Sequence, residues 1–376
     1  MFIFSVLLTM LPVSWTILPA YKYLFIYFCS ENLSPTINIT KMFKKTNLRL
    51  TMTFMAVISV LPSCSSSDTG IDIAPVPAIP SAPEQEVLTE ADPTIFLDSD
   101  GTYYLYGTGS DSGQGFFVYR SADLKNWQGP VGKVNGFCLT GTTSFGTTGF
   151  WAPQVVKRGD TYYMFYTANE QIAVATSTSP MGPFAQDEKQ AIATPGKAID
   201  PFVLFDDDGK AYLYHVRLQD GNRIFVAEMT ADLKGIKEET AKECVHATEQ
   251  WENTAQASWS VTEGPTVLHL GDTYYMFYSA NDFRNIDYAV GVATATSPFG
   301  PWTKSQQSLI NRANTDYYGT GHGDVFKDTQ GNWNYVLHTH NSFTEVSPRK
   351  TAVVGLSQQP TGFSLINGTF HFLYKE

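Results

Sequence analysis

The sequence predicts an all-β chain built as a five-bladed β-propeller, and three observations predict it. A strand, a tight turn centred on Gly and an aromatic strand recur five times, with turn glycines Gly101, Gly159, Gly209, Gly271 and Gly331 spaced by 50 to 62 residues. No helical periodicity lies between the repeats. Aromatic residues make up 14% of the 376 residues and charged residues only 16%, a balance that suits pleated, half-buried strands and sugar-stacking surfaces.

The repeat units are DGTYYLYGT from Asp100, GDTYYMFYTA from Gly159, DGKAYLYHV from Asp208, GDTYYMFYSA from Gly271 and QGNWNYVLHT from Gln330. Asp-Gly and Gly-Asp between apolar runs are hairpin signals, because Gly tolerates the positive φ that such turns need. A third strand follows in each unit: FFVYRSAD, IAVATSTS, IFVAEMTAD, AVGVATATS and TAVVGLSQ. Units of this size made of three or four antiparallel strands are propeller blades, and five of them fill residues 86–376. A β-sandwich would not repeat its turn chemistry five times, and β-helix rungs are much shorter.

Successive blades are related by rotation about one axis, so residues at one repeat position form a ring. Counting back eight or nine residues from each turn glycine gives Asp92, Trp151, Asp200, Glu263 and His322. Three carboxylates in one funnel raise each other's pKa values, and burial adds to the rise. One group is then kept protonated as an acid while another stays ionised as a base, the division that glycoside hydrolysis requires. Taken singly, Asp-Pro and Glu-Gly-Pro read equally well as strand-entry punctuation. A lone Trp151 is more often core packing, and a lone His322 more often a satisfied hydrogen-bonding residue. Three acids in register weigh against those plainer readings.

Ahead of the repeats, residues 1–64 form a targeting region. Lys44, Lys45 and Arg49 precede an apolar run from Met52 to Leu61 that is too short to span a bilayer, then Ser63 and Cys64. The stretch resembles a bacterial lipoprotein signal starting at Met42, in which Cys64 becomes the lipidated first residue. An ordinary secretory signal is the alternative. Residues 65–85, rich in Ser and Pro, read as a tether. The expected location is therefore the periplasm or cell surface, with membrane contact only through a lipid.

The formal charge is −11. Residues 1–64 hold five basic residues and one acid, which leaves 20 basic against 35 acidic residues, or −15, for the remainder. That surface repels phosphate backbones, so nucleic acid is excluded as a partner and neutral glycan is compatible. Cys138 and Cys244 lie in the propeller region without a CxxC or Cys/His framework, so they read as buried thiols, with a bridge between them left open.

From about Ala91 onward the chain resembles glycoside hydrolase family 43, five-bladed propellers acting on arabinose- and xylose-containing polysaccharides. The motifs that carry the resemblance are ADPTI, FWAPQV, IDPFVLFDDDGKAYL, TEGPTV and GTGHGDVF, in this order. It implies that Asp92 is the general base, Glu263 the general acid, and Asp200 a group that tunes and orients that acid. It further implies that Trp151 and Arg349 line the sugar subsite, and that His322 lies near the axis, where some members hold calcium although none is required. Asn281, Asp282, His338 and His340 read as ordinary loop polarity. The expected activity is inverting removal of α-L-arabinofuranosyl residues. β-Xylosidase, galactofuranosidase, endo-arabinanase, a retaining fructan-type hydrolase and a non-catalytic surface glycan-binding propeller are the alternatives, the last opposed by the presence of all three acids.

Overall fold

The computed structural model describes residues 85–376, apart from 111 and 361. Targeting region, tether and Cys64 thus lie outside the described residues. The regular secondary structure of those described is nearly all strand and makes the predicted five-bladed propeller. Blade 1 is Ala91–Leu97, Tyr103–Thr108 and Tyr119–Ser121, and blade 2 is Trp151–Arg158, Thr161–Ala168 and Gln171–Ser177. Blade 3 comprises Ala198–Phe205, Ala211–Leu218, Asn222–Glu228 and Lys242–Val245. Blade 4 comprises Thr262–Leu270, Thr273–Ala280, Ala289–Ala295 and Thr303–Lys304. Blade 5 comprises Gly321–Lys327, Trp333–Thr339, Lys350–Gln359 and Gly362–Leu365. Each first strand touches the first strand of the next blade, and that of blade 5 touches that of blade 1.

The aromatic second strands explain the core. A strand's side chains alternate between two faces, and in a blade both faces are covered by neighbours. Tyr212 and Tyr214 pack toward blade 4 with Met276 and Tyr278, whereas Ala211 and Leu213 pack toward blade 2 with Phe165 and Val174. Three further clusters fill the remaining gaps between blades. A sheet that buries both faces needs large apolar residues at every position, and runs such as YYMFY supply them.

The ring is closed by the chain ends. Glu86–Val87 pairs antiparallel with Tyr374–Lys375, which lies parallel to Asn126–Trp127 beside blade 1. The Thr351 N–H in blade 5 donates to Leu88 O at 2.9 Å, and Leu88 N–H to Leu373 O at 2.9 Å. Cys138 and Cys244 are both free thiols, the first buried and the second half-buried, so no bridge joins them.

Candidate active site

Every first strand carries one extra residue near its start. In blade 1, Ala91 faces Thr108 and Thr94 faces Tyr106, so two residues of one strand oppose one of its partner, and the same bulge recurs in the other four blades. A bulge re-aims a side chain and leaves backbone groups outside the ladder. The bulged residue is left-handed each time: Asp92 (φ 48), Ala152 (φ 43), Asp200 (φ 55), Gly264 (φ 58) and His322 (φ 38). Proline follows in blades 1 to 4, which the unpaired bulge tolerates. Gly264 has a second reason to lack a side chain, since a Cβ there would stand 2.6 Å from the His322 ring.

This corrects the ring read from the sequence. The five bulged residues and the residue after each line one axial cavity of about 20 Å³. Trp151 and Glu263 stand one residue earlier, level with Ala91, Ile199 and Gly321. The cause is turn length. The first hairpins of blades 2 and 4 join Arg158 to Thr161 and Leu270 to Thr273 through two residues, whereas blades 1, 3 and 5 use five. A count back from the glycine is therefore not a count along the strand. Asp92 and Asp200 share a repeat position, and the third acid reaches the site from the neighbouring position.

A hydrogen-bond relay ties blade to blade. The bulged N–H of each blade meets the end of the previous blade's second strand: Ala152 N donates to Thr108 Oγ1 (3.0 Å), Asp200 N to Thr167 Oγ1 (2.9 Å), His322 N to Ser279 Oγ (2.7 Å) and Asp92 N to His338 Nδ1 (3.2 Å). Blade 3 has Val216 at that position, which can accept nothing. Gly264 N donates instead to Asp200 Oδ2 at 3.2 Å. His338, read from sequence as loop polarity, is thus a fully buried strand residue of the relay. Its place in the fifth repeat, matching Thr108, Thr167 and Ser279, was the available signal. Asn281 and His340 are buried and brace loops, through bonds to Thr254 N and Phe283 O respectively. Asp282 pairs with Arg284 on the surface.

Asp92 sits among donors. Arg349 Nη1 donates to Oδ1 at 2.8 Å and Thr108 Oγ1 to Oδ2 at 2.7 Å. His322 Nδ1 stands 3.4 Å from Oδ1. Burial alone would raise the Asp92 pKa, but the Arg349 guanidinium, helped by the Thr108 hydroxyl, outweighs it and holds the carboxyl well below its usual range. Burial keeps His322 and His338 below the ordinary histidine range. The 3.4 Å approach of His338 Nδ1 to Asp92 Oδ1 is therefore not an ion pair. Arg349, expected to contact sugar, has its guanidinium engaged by Asp92 and lies over the Phe283 ring at 4.8 Å.

Among the described residues, Glu263 has no cation as a hydrogen-bond partner. Tyr288 Oη donates to Oε1 at 2.8 Å and Asn222 Nδ2 to Oε2 at 2.9 Å. Burial pushes its pKa up to about 7, opposed by the Tyr288 bond, assisted by the Asp92 charge and opposed again by Asn222. Asp200 is raised well above the carboxylate range by burial, then by Glu263 and Asp92. These two acids do not ionise independently, and at neutral pH the pair retains a proton. Tyr288 and Asn222 went unnoticed in the sequence because neither falls at a repeat position that any other acid marks. Trp151, half-buried, occupies in blade 2 the place Glu263 holds in blade 4.

Calcium prefers six to eight oxygen ligands. Around His322 the carboxylates are Asp92, already bonded to Arg349 and Thr108, and Asp200, whose Oδ2 is 3.9 Å away. That set does not make a calcium cage. Among the described residues, the grouping with ligand-like spacing is Asp206 and Asp207 of the blade 3 turn with His269 of the blade 4 first strand, and there His269 Nδ1 is hydrogen-bonded to Asp206 at 2.5 Å.

Comparison with known proteins places the chain that carries these two buried carboxyls in a family. The model of Glycosyl hydrolases family 43 matches residues 87–357. The chain belongs to this family of glycosidases. Its fold is close to that of a crystal structure named endo-1,4-beta-xylanase from Bacteroides thetaiotaomicron, 41% identical, covering 78% of this chain and 99% of that one with a TM-score of 0.72. A thermostable family-43 glycoside hydrolase is 30% identical, with 75% and 94% covered and a TM-score of 0.67. The beta-D-galactofuranosidase xynD of Aspergillus niger is 26% identical over 268 residues, 66% of this chain and 73% of that protein. An extracellular exo-alpha-(1->5)-L-arabinofuranosidase of Streptomyces avermitilis is 24% identical over 297 residues, 73% and 60% of the two chains.

Proposed function

We propose that this family 43 glycosidase removes α-L-arabinofuranosyl residues with inversion, Asp92 acting as general base and Glu263 as general acid. The observation that carries the reading is the split in proton affinity between two buried carboxyls: Asp92 is held ionised by Arg349 while Glu263 keeps its proton up to about pH 7. Inversion needs that pairing. Asp92 takes a proton from a water as its oxygen attacks the anomeric carbon, and Glu263 gives its proton to the departing glycosidic oxygen. Tyr288 and Asn222 then stabilise the carboxylate left behind. Asp200, coupled to Glu263 and bonded to the Gly264 N–H beside it, tunes the acid. Trp151 and His322 supply the wall of the sugar subsite.

Relatives named for arabinofuranosidase and arabinan endo-1,5-alpha-L-arabinosidase activity support the arabinosyl reading. The 41% identity to a protein named endo-1,4-beta-xylanase favours a second one, hydrolysis of β-xylosyl bonds. Rates on nitrophenyl α-L-arabinofuranoside, β-D-xyloside and β-D-galactofuranoside decide between them, and NMR of the first-formed anomer tests inversion. Retention of configuration would reassign Asp92, and turnover of none of the three would leave a glycan-binding role. Two relatives are named extracellular, in keeping with export. Anchoring through Cys64 predicts that Cys64→Ser releases the protein into the soluble fraction.

A further inference from the structure

The loop leading from blade 3 into blade 4 sets a tryptophan on the surface beside the acid. Trp259 is 50% exposed. Other exposed rings are covered by neighbours, Tyr317 by Phe370 and Phe372, and Phe343 by Tyr318. Among the described residues no ring stacks on Trp259. Its indole N–H donates to Asn222 Oδ1 at 2.9 Å, and Asn222 Nδ2 donates to Glu263 Oε2 at 2.9 Å.

An indole N–H can only donate. By binding the oxygen of the Asn222 amide it determines which end of that amide is left for Glu263, and the end left is the NH₂ group. The chain from surface ring to amide to acid is three residues long and has one direction. The acid protonates the oxygen of the departing sugar, so that sugar lies on the acid's side of the scissile bond, where Trp259 offers an open aromatic face. Aromatic rings with one polar handle suit surfaces that are apolar at one end and wet at the other.

We propose that Trp259 is the platform for the leaving-group sugar, and that the same ring positions the acid through Asn222. The inference rests on the glycosidase reading above and deepens it. Its test compares an arabinan- or xylan-derived oligosaccharide with the matching glycosyl fluoride, whose leaving group has no ring to stack and needs little protonation. In Trp259→Ala the oligosaccharide KM rises about tenfold while fluoride hydrolysis is unchanged. Trp259→Phe keeps the platform and loses the N–H, so KM stays within about twofold, kcat falls, and the alkaline limb of the pH profile moves to higher pH. Asn222→Ala moves that limb the same way.

Equal losses on both substrates in Trp259→Ala, or no loss on either, overturn the platform. An unmoved alkaline limb in both Trp259→Phe and Asn222→Ala overturns the positioning role. Thermal melting of each variant identifies a merely structural defect, which would lower both activities together and so count against the proposal. A wild-type protein inactive on both substrates refutes the arabinosyl and xylosyl readings above, and the inference with them.

Discussion

The junction of blades 5 and 1 and the junction of blades 3 and 4 use one backbone device to opposite ends. At the first, the second strand of blade 5 carries His338 near its end, and the bulged Asp92 receives Arg349 and Thr108. At the second, the corresponding strand of blade 3 has Val216 at that position, so the relay is broken, and among the described residues Glu263 meets the neutral donors Tyr288 and Asn222. Both carboxyls are buried. Burial raises a carboxyl pKa in either place, and what separates base from acid is whether a cation is within contact. Protonation state is therefore set by the neighbours each blade supplies, not by the bulge that presents the residue.

The largest effect expected of breaking this contrast is at the acid. Glu263→Gln should lower kcat on sugar leaving groups by roughly 10²- to 10⁴-fold, and an unchanged kcat would remove the assignment. Next comes Arg349→Ala. Without the guanidinium, Asp92 titrates closer to the ordinary carboxylate range, so the acidic limb of the kcat/KM profile moves to higher pH. The variant should also lose about 3 kcal/mol of stability from the unpaired buried charge, read by denaturant unfolding.

Stability itself should depend on pH in a direction fixed by the raised acids. Glu263 binds its proton more tightly folded than unfolded, so the native state loses stability as pH rises from about 4.5 toward about 7. Thermal melts across that window should fall, and Glu263→Gln should flatten them. Tyr288→Phe removes a bond that favours the ionised form, so the alkaline limb of activity should shift upward by about one pH unit. The smallest change sharpens the comparison most. Val216→Thr restores the missing relay hydroxyl and offers Gly264 N–H a second acceptor, and the expected stability loss is about 1 kcal/mol or less. A loss near 3 kcal/mol would show that the hydroxyl finds no partner there.

The propeller was legible because its repeat is carried by local chemistry. The five turn glycines all have positive φ, from 57° to 86°, as the Asp-Gly and Gly-Asp pairs require. Asp92, Asp200 and His322 share a repeat position that was also legible, because the first turns of blades 1, 3 and 5 have the same length and a count back from the glycine reaches the same place on each strand. Glu263 was found as a residue but placed one position off, since turns of two and five residues look alike when counted from their glycines. His338 was missed for a different reason: at the end of a strand it reads as polar, and only the next blade reveals what its ring accepts.

The amino-acid sequence alone determined the number of blades, the turns between strands and the acidic residues presented by the bulges, because each follows from contacts within about ten residues along the chain. Which acid keeps its proton was decided by tertiary structure. Arg349 lies 257 residues from Asp92, and Asn222 lies 41 from Glu263. Charge and desolvation act through space, so they exist only once the ring has closed.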